Sequence, residues 1–237
     1  MTAPLLSIRD LHAWYGQAHV LQGIDLEAGA GETVALLGRN GAGRSTICRS
    51  VMGHVHAAGT VQFDGRDVLG LPPHEVACAG VGLVPENREV FPGLTTRQNL
   101  LLGLKPGQRD GEGSWTLARM MEMFPNLETR AEVDAAMLSG GEQQMLSICR
   151  TLMGAPRLIM IDEPTEGLSP QMTATVRDLI REIAVAGTAV LLVEQKLTIA
   201  MEIADQVLVI GQGRVQFSGT PAELANRADI RQAWLEV

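Results

Sequence analysis

TVALLGRNGAGRSTICRSV, residues 33–51, is the stretch on which the reading turns. Val34-Ala35-Leu36-Leu37 is an apolar run short enough for a buried strand. Gly38-Arg39-Asn40-Gly41-Ala42-Gly43 follows, and Arg44-Ser45-Thr46 leads into a helical pattern. Strand, glycine loop and helix start are the construction of the phosphate-binding loop, G-x-x-x-x-G-K-[ST]. Glycines let backbone N–H groups wrap phosphates at close range, and the helix dipole adds partial positive charge. Gly38, Asn40, Gly41, Gly43, Arg44, Ser45 and Thr46 are therefore candidate nucleotide-binding residues. Ser45 would place a hydroxyl on Mg²⁺, and the cation before it would reach the β- and γ-phosphates. That cation is Arg44, where the motif has lysine. The alternative is a glycine-rich turn that binds nothing, and the rest of the chain decides between the two.

The chain of 237 residues, 46% hydrophobic, suits one large or two closely joined domains with an ample core. Its formal net charge is −8 and it has no Lys/Arg-rich run, so nucleic acid is not an expected partner. MTAPLLSIRD at the start lacks the cationic-then-apolar pattern of a signal peptide, and no apolar run approaches a bilayer span. Any membrane role is expected to be peripheral. Cys48, Cys78 and Cys149 lack metal-ligand spacing and read as small buried residues in a reducing cytoplasm.

Leu5 to Leu26 alternates loosely, as the strands of an antiparallel patch would, and carries Tyr15, a candidate for stacking on adenine. Gly59–Gly65 reads as a strand ending in a turn, Pro72-Pro73 as a helix start, and Val81–Val84 as a short buried strand stopped by Pro85. The polar loop Glu86–Pro92 then lies at a strand end, where α/β proteins keep ligands. Trp115, Leu117, Met120, Met121 and Phe124 have helical spacing, and Lys105–Gly113 is a glycine-rich, charged loop. Residues from about 95 to 150 thus look like a helical insertion in an α/β core.

Ser139-x-x-Glu142 is a capping box ahead of a helix with Met145, Ile148, Cys149 and Leu152 on one face. Gly140 and Gly141 just inside that helix are unfavourable for helix formation, and make sense if an anion must approach closely. Leu158–Ile161 is a strand ending in Asp162 and Glu163. Asp162 suits Mg²⁺, and Glu163 suits orienting and deprotonating an attacking water. Neighbouring carboxylates on a strand are expected to point to opposite sides. Ala189–Val193 is a further buried strand, Gln206–Ser218 a hairpin, and Thr220–Glu223 a capping box with proline at the first helical position.

Together these residues resemble the nucleotide-binding subunit of an ABC transporter, over essentially the whole chain. Gly38–Thr46 resembles the Walker A loop, Leu158–Glu163 the Walker B strand, and Leu138–Gln144 the signature motif. The resemblance implies an α/β fold: a P-loop NTPase (RecA-like) core with an antiparallel β subdomain and an inserted α-helical subdomain. It implies a single domain over 1–237, with the core at about 1–94 and 151–237 and the helical part at about 95–150. It also implies a head-to-tail dimer, with ATP and Mg²⁺ between the Walker A loop of one subunit and Ser139, Gly140 and Gly141 of the other. Tyr15 falls at the adenine-stacking position, Glu86 where a glutamine would ligate Mg²⁺, and Gln195 where a switch histidine would contact the γ-phosphate.

The wording Val84-Pro85-Glu86-Asn87-Arg88, Asp162–Leu168 and Leu192-Val193-Glu194-Gln195 is similar to the second ATPase subunit of branched-chain amino acid importers. Urea and amide importers share much of it. That likeness implies pairing with a second, different ATPase subunit on two transmembrane permease subunits. It also implies an indirect link to a solute-binding protein, and a peripheral place at the cytoplasmic face of the cell membrane. A nucleotide-gated subunit with little hydrolysis of its own is the alternative that Arg44, Glu86 and Gln195 suggest.

Overall fold

The computed structural model of the chain describes residues 3–105, 107–108 and 115–236. Residues 106 and 109–113 of the expected Lys105–Gly113 loop lie outside them, as do the first two residues of the N-terminal stretch. From the start, β1 (Leu6–Tyr15), β2 (Ala18–Ala28) and β3 (Thr33–Leu37) precede α1 (Arg44–Val51). Next come β4 (His56–Phe63), β5 (Arg66–Asp67), α2 (Pro73–Ala79) and β6 (Val81–Val84). Helices α3 (Thr96–Leu101), α4 (Leu117–Met123), α5 (Pro125–Thr129) and α6 (Gly140–Met153) follow. The chain continues with β7 (Leu158–Asp162), α7 (Pro170–Val185), β8 (Ala189–Glu194), α8 (Leu197–Ile203), β9 (Gln206–Gly211), β10 (Arg214–Gly219), α9 (Pro221–Ala225) and α10 (Ala228–Trp234).

The strands form two sheets. One is antiparallel, in the order β2-β1-β4-β5. The other, β10-β9-β3-β8-β7-β6, is parallel except for β10. Every residue of β3, β7 and β8 is buried, which explains their unbroken apolar runs: a parallel strand covered on both faces has no polar side. Alternation still sorts them. Val34 and Leu36 face the core shared with the antiparallel sheet and α1, while Ala35 and Leu37 face the smaller core under α8 and α9. Ile159, Ile161, Val190 and Leu192 face a third core built with α6, α7 and the smaller helices.

The looseness of the early alternation has a local cause. Leu6 and Ile8 are buried, then Leu11 and Ala13, and the register with β2 and β4 shifts between them. Asp10 takes φ +48, and a Cβ at Gly59 opposite would meet its carbonyl oxygen at 2.3 Å. The extra residue is a bulge. Helix α4 begins later than the spacing from Trp115 predicts, because the Thr116 side chain accepts the Arg119 N–H as a cap. Trp115 is nonetheless buried in the helical core. Both predicted capping boxes form, Ser139 with Glu142 and Thr220 with Glu223; caps of this kind contribute about 1 kcal/mol each. Among the described residues no helix is long and apolar enough to cross a membrane.

Candidate nucleotide site

The parallel strands β3, β7, β8 and β6 end on one side, and the loops leaving them carry most of the candidate residues, as expected at the C-terminal edge of a parallel sheet. The glycine loop leaves β3 at Gly38, whose Cβ would collide with the Ile210 carbonyl oxygen at 2.3 Å. It enters α1 through Gly43 at φ +107, where a Cβ would meet Leu21 Cδ2 at 2.7 Å. Only glycine fits either place. Around Gly41 a Cβ would meet nothing within 4 Å, so the loop opens outward there.

Arg44, the first residue of α1, is 4% exposed. Its Nη2 donates to Glu163 Oε1 at 2.6 Å and to Asn40 Oδ1 at 3.1 Å. Its Nη1 is buried with no partner. An unpartnered buried donor of this kind costs about 1–3 kcal/mol unless an acceptor arrives. Ser45 Oγ donates to Asp162 Oδ1 at 3.0 Å. Arg49, one turn further along α1, donates through Nη1 to the Tyr15 hydroxyl at 3.4 Å.

The expectation that Asp162 and Glu163 point to opposite sides is corrected by the backbone. Asp162 ends β7, but Glu163 has left the strand at φ +46, with its N–H bonded to the Val193 carbonyl oxygen at 2.9 Å. The strand rule therefore does not govern it, and both carboxylates turn onto the glycine loop's helix. Burial raises the Asp162 pKa, opposed by the Ser45 hydrogen bond, with the nearby Glu86 charge adding to the rise. Burial also raises Glu163, to about 6; Arg44 opposes this, while Glu166 and Glu86 add to it.

Two adjoining cavities meet here. The smaller, about 470 Å³, is lined by Asn40, Gly41, Gly43, Arg44, Ser45, Thr46 and Glu163, among others. The larger, about 800 Å³, takes in Asp162 and runs toward Phe91 and Arg150. Tyr15, Ser45, Arg49 and Glu86 line both. Tyr15 and Glu86 are exposed, placed for a ligand at the mouth. Gln195 is exposed just past β8 and is not among the residues lining either cavity.

Ser139, Gly140 and Gly141 lie away from these cavities, at the start of α6. Within the chain it is side chains that come close to the two glycines: a Cβ at Gly140 would meet Arg88 Nη1 at 2.5 Å, and one at Gly141 would meet Met172 Cγ at 3.0 Å. Sequence reasoning missed Arg49 and Arg88. Arg49 was findable, since it follows Ser45 by four residues and shares its helix face. Arg88 was not, because its contact crosses two loops.

The residues fit a phosphate-bearing ligand with Mg²⁺: a loop open at Gly41, an orphaned buried guanidinium nitrogen, and a hydroxyl–carboxylate pair of hard oxygen donors. Comparison with known proteins agrees. Residues 21–166 match the family described as ABC transporter. The chain is 36% identical to the high-affinity branched-chain amino acid transport ATP-binding protein BraG of Pseudomonas aeruginosa, over 98% of this chain and 99% of that one. It is 34% identical to the probable branched-chain amino acid transport ATP-binding protein LivF of Archaeoglobus fulgidus, over 90% and 91%. Among solved structures, an ATP-binding subunit of an ABC transporter superposes with a TM-score of 0.84 at 28% identity, covering 98% of this chain and 96% of that one.

Proposed function

The chain belongs to the ABC transporter family of ATP-binding subunits, and from that premise we propose that it powers a membrane importer for branched-chain amino acids. It is an ATPase by class, with the P-loop core, antiparallel and helical parts that the family's structures share. The observation that carries the reading of its site is the convergence of Arg44, Ser45, Asp162 and Glu163, with one guanidinium nitrogen left without an acceptor. The solute reading rests on similarity to BraG and LivF.

In this reading backbone N–H groups from Gly41 to Thr46 and the Arg44 guanidinium hold the phosphates. Gly38, Asn40 and Gly43 shape the loop around them. Tyr15 stacks on the adenine. Ser45, Asp162 and Glu86 hold Mg²⁺, which when bound offsets charge on the transferring phosphoryl group. Glu163 accepts the proton of the attacking water, a task suited to a carboxylate whose affinity for protons is raised by burial. Gln195 contacts the γ-phosphate side from the end of β8. Ser139, Gly140 and Gly141 serve a nucleotide held by a second subunit, through the N-terminal N–H groups of α6.

The working unit is then a pair of different ATPase subunits on two permease subunits, fed by a solute-binding protein and attached peripherally at the cytoplasmic face. The helical part at about 95–150 and the loop from Glu86 grip the permease. Uptake of radiolabelled leucine and urea, with and without this chain in its source organism, tests the reading. Loss of leucine uptake alone is expected. Loss of urea uptake alone would assign the same role in a urea or amide importer, and loss of neither would overturn both.

The engagement of Arg44 with Glu163 favours one second reading, a nucleotide-gated subunit that hydrolyses little. Mg-ATPase activity of the assembled transporter, with the companion subunit's own base disabled, separates the two.

A further inference from the structure

Glu194 is a buried carboxylate to which the reading above gives no task. It ends β8 after five apolar residues, is 2% exposed, and immediately precedes Gln195. An apolar side chain would close such a strand with far less desolvation, so the charge calls for an explanation. Its two oxygens are taken separately: Thr165 Oγ1 donates to Oε1 at 2.6 Å, and the Lys196 backbone N–H donates to Oε2 at 3.2 Å. Lys196 Nζ then donates to the Thr165 carbonyl oxygen at 3.1 Å and closes a ring. Thr165 is itself fully buried, two residues past Glu163, and Gln195 sits between two members of the ring.

We propose that Glu194 is a positioning residue for Glu163: by holding Thr165 against the end of β8 it fixes the turn that carries the base. The inference rests on the reading that this cleft takes ATP and that Glu163 activates the water. The turn from Glu163 to Glu166, closed by the Glu166 N–H on the Glu163 carbonyl oxygen at 3.2 Å, is tied to β8 twice. The Glu163 N–H bonds the Val193 carbonyl oxygen at 2.9 Å, and Thr165 bonds the next residue, Glu194, through its side chain. Glu163 needs that support, because φ +46 is uncommon for a residue with a Cβ and persists only where its surroundings over-determine it. A hydrogen bond to an ionised acceptor is among the stronger ones, which suits Glu194 to the task. Glu194 touches no nucleotide; it acts through Thr165.

Thr165→Val removes the hydroxyl at nearly constant shape, and Thr165→Ser keeps it. Glu194→Met removes the buried charge as well, and covers the case in which Thr165→Val leaves an unpaired carboxylate and does not fold. Hydrogen–deuterium exchange of the isolated full chain, without nucleotide, is the first readout. Thr165→Val and Glu194→Met are expected to speed exchange in peptides spanning residues 163–168 about tenfold, with peptides from β3 and α6 unchanged. The second readout is ATP hydrolysis in the assembled transporter, with the companion subunit's base disabled. There kcat is expected to fall about tenfold with KM for ATP within about twofold of the parent, and Thr165→Ser to restore both readouts. Unchanged exchange over 163–168, or faster exchange throughout the chain, overturns the inference. So does a serine variant no better than valine, or a loss that falls on KM alone. If the parent itself neither binds nor hydrolyses ATP, the nucleotide-site reading fails and the inference falls with it.

Discussion

Arg88 reaches the first residue of α6: a Cβ at Gly140 would lie 2.5 Å from its Nη1, and its Nη2 donates to the Glu166 carbonyl oxygen at 3.4 Å. One side chain from the loop after β6 thus touches both the start of α6 and the loop that follows Glu163. A guanidinium at a helix N-terminus faces the positive end of the dipole, so α6 gains no stability from it. The contact places Arg88 between the helix start and the loop after β7.

Two glycines at opposite ends of α6, Gly140 at its start and Gly103 packed against its last turn, differ in what a methyl group would meet. At Gly140 it meets the far end of a flexible side chain, which can swing away. At Gly103 it meets the Arg150 carbonyl oxygen at 1.9 Å, and backbone inside α6 cannot yield. Gly140→Ala is expected to fold with a Tm within about 3 °C of the parent, near 1 kcal/mol for a chain of this size. Gly103→Ala is expected to lose more than about 6 °C by the overpacking mechanism. Scanning calorimetry decides, and equal losses would mean that Arg88 is pinned.

Tyr15 is expected to contribute aromatic stacking of about 0.5–1.5 kcal/mol beyond burial, several-fold in ATP affinity. The residue is 43% exposed at the mouth of the cleft, and its hydroxyl accepts from Arg49 Nη1 at 3.4 Å. Tyr15→Ala should weaken ATP several-fold and leave inorganic pyrophosphate, which has no base to stack, unaffected. Tyr15→Phe keeps the ring and loses only the Arg49 contact, so it should behave almost as the parent. Pyrophosphate weakening in step with ATP would remove the ring from adenine recognition.

Much of this was legible because it is local. The run Val34–Thr46 carries strand, loop and helix start within one window, and the Ser139 and Thr220 capping boxes are read at a spacing of three residues. The acids after Ile161 were legible for the same reason, but their directions were not. Glu163 precedes Pro164, which constrains its backbone, and its final φ is set by a bond to β8, thirty residues on. The Arg44–Glu163 pair joins residues 119 apart in the chain, and no periodicity encodes such a meeting. Gln195 was placed by the order of motifs alone. Its position past β8 follows, but whether it reaches a ligand depends on a loop that the motif does not specify.

The cysteines provide a check on the cores that is independent of nucleotide. Cys48 in α1 and Cys149 in α6 are fully buried, and burial raises both thiols well above their ordinary range, with the Asp162 charge adding to the effect at Cys48. Cys78 in α2 is exposed, which corrects the expectation that all three cysteines are buried: α2 buries only Val76 and leaves the Cys78 side to solvent. Since the thiolate is the nucleophile, one equivalent of maleimide should enter native protein at pH 7.5, at Cys78, and three after unfolding. Mass spectrometry of the labelled chain reads this directly. Rapid labelling of Cys48 in the native state would show that α1 does not pack as described.

The last prediction concerns Arg44 itself. Arginine and lysine carry the same charge, so charge alone predicts little difference between them. Geometry separates them, since the guanidinium fork holds Asn40 and Glu163 at once while an ammonium is a compact point charge on a flexible stem. A lysine here would leave Glu163 freer to face water, and would sit more readily where transition-state charge develops. Arg44→Lys is therefore expected to keep ATP affinity within about tenfold, or 1.4 kcal/mol, and to raise turnover at this subunit's own site. Arg44→Ala should lower both, because it leaves Glu163 with no buried counter-charge and the phosphates with no cation. The measurement is single-site turnover in the assembled transporter, with the companion subunit's base disabled. A lysine variant no faster than the parent would mean that the loop, with Asn40 as its brace, has adapted to arginine, and that the Arg44–Glu163 contact does not hold the chemistry back.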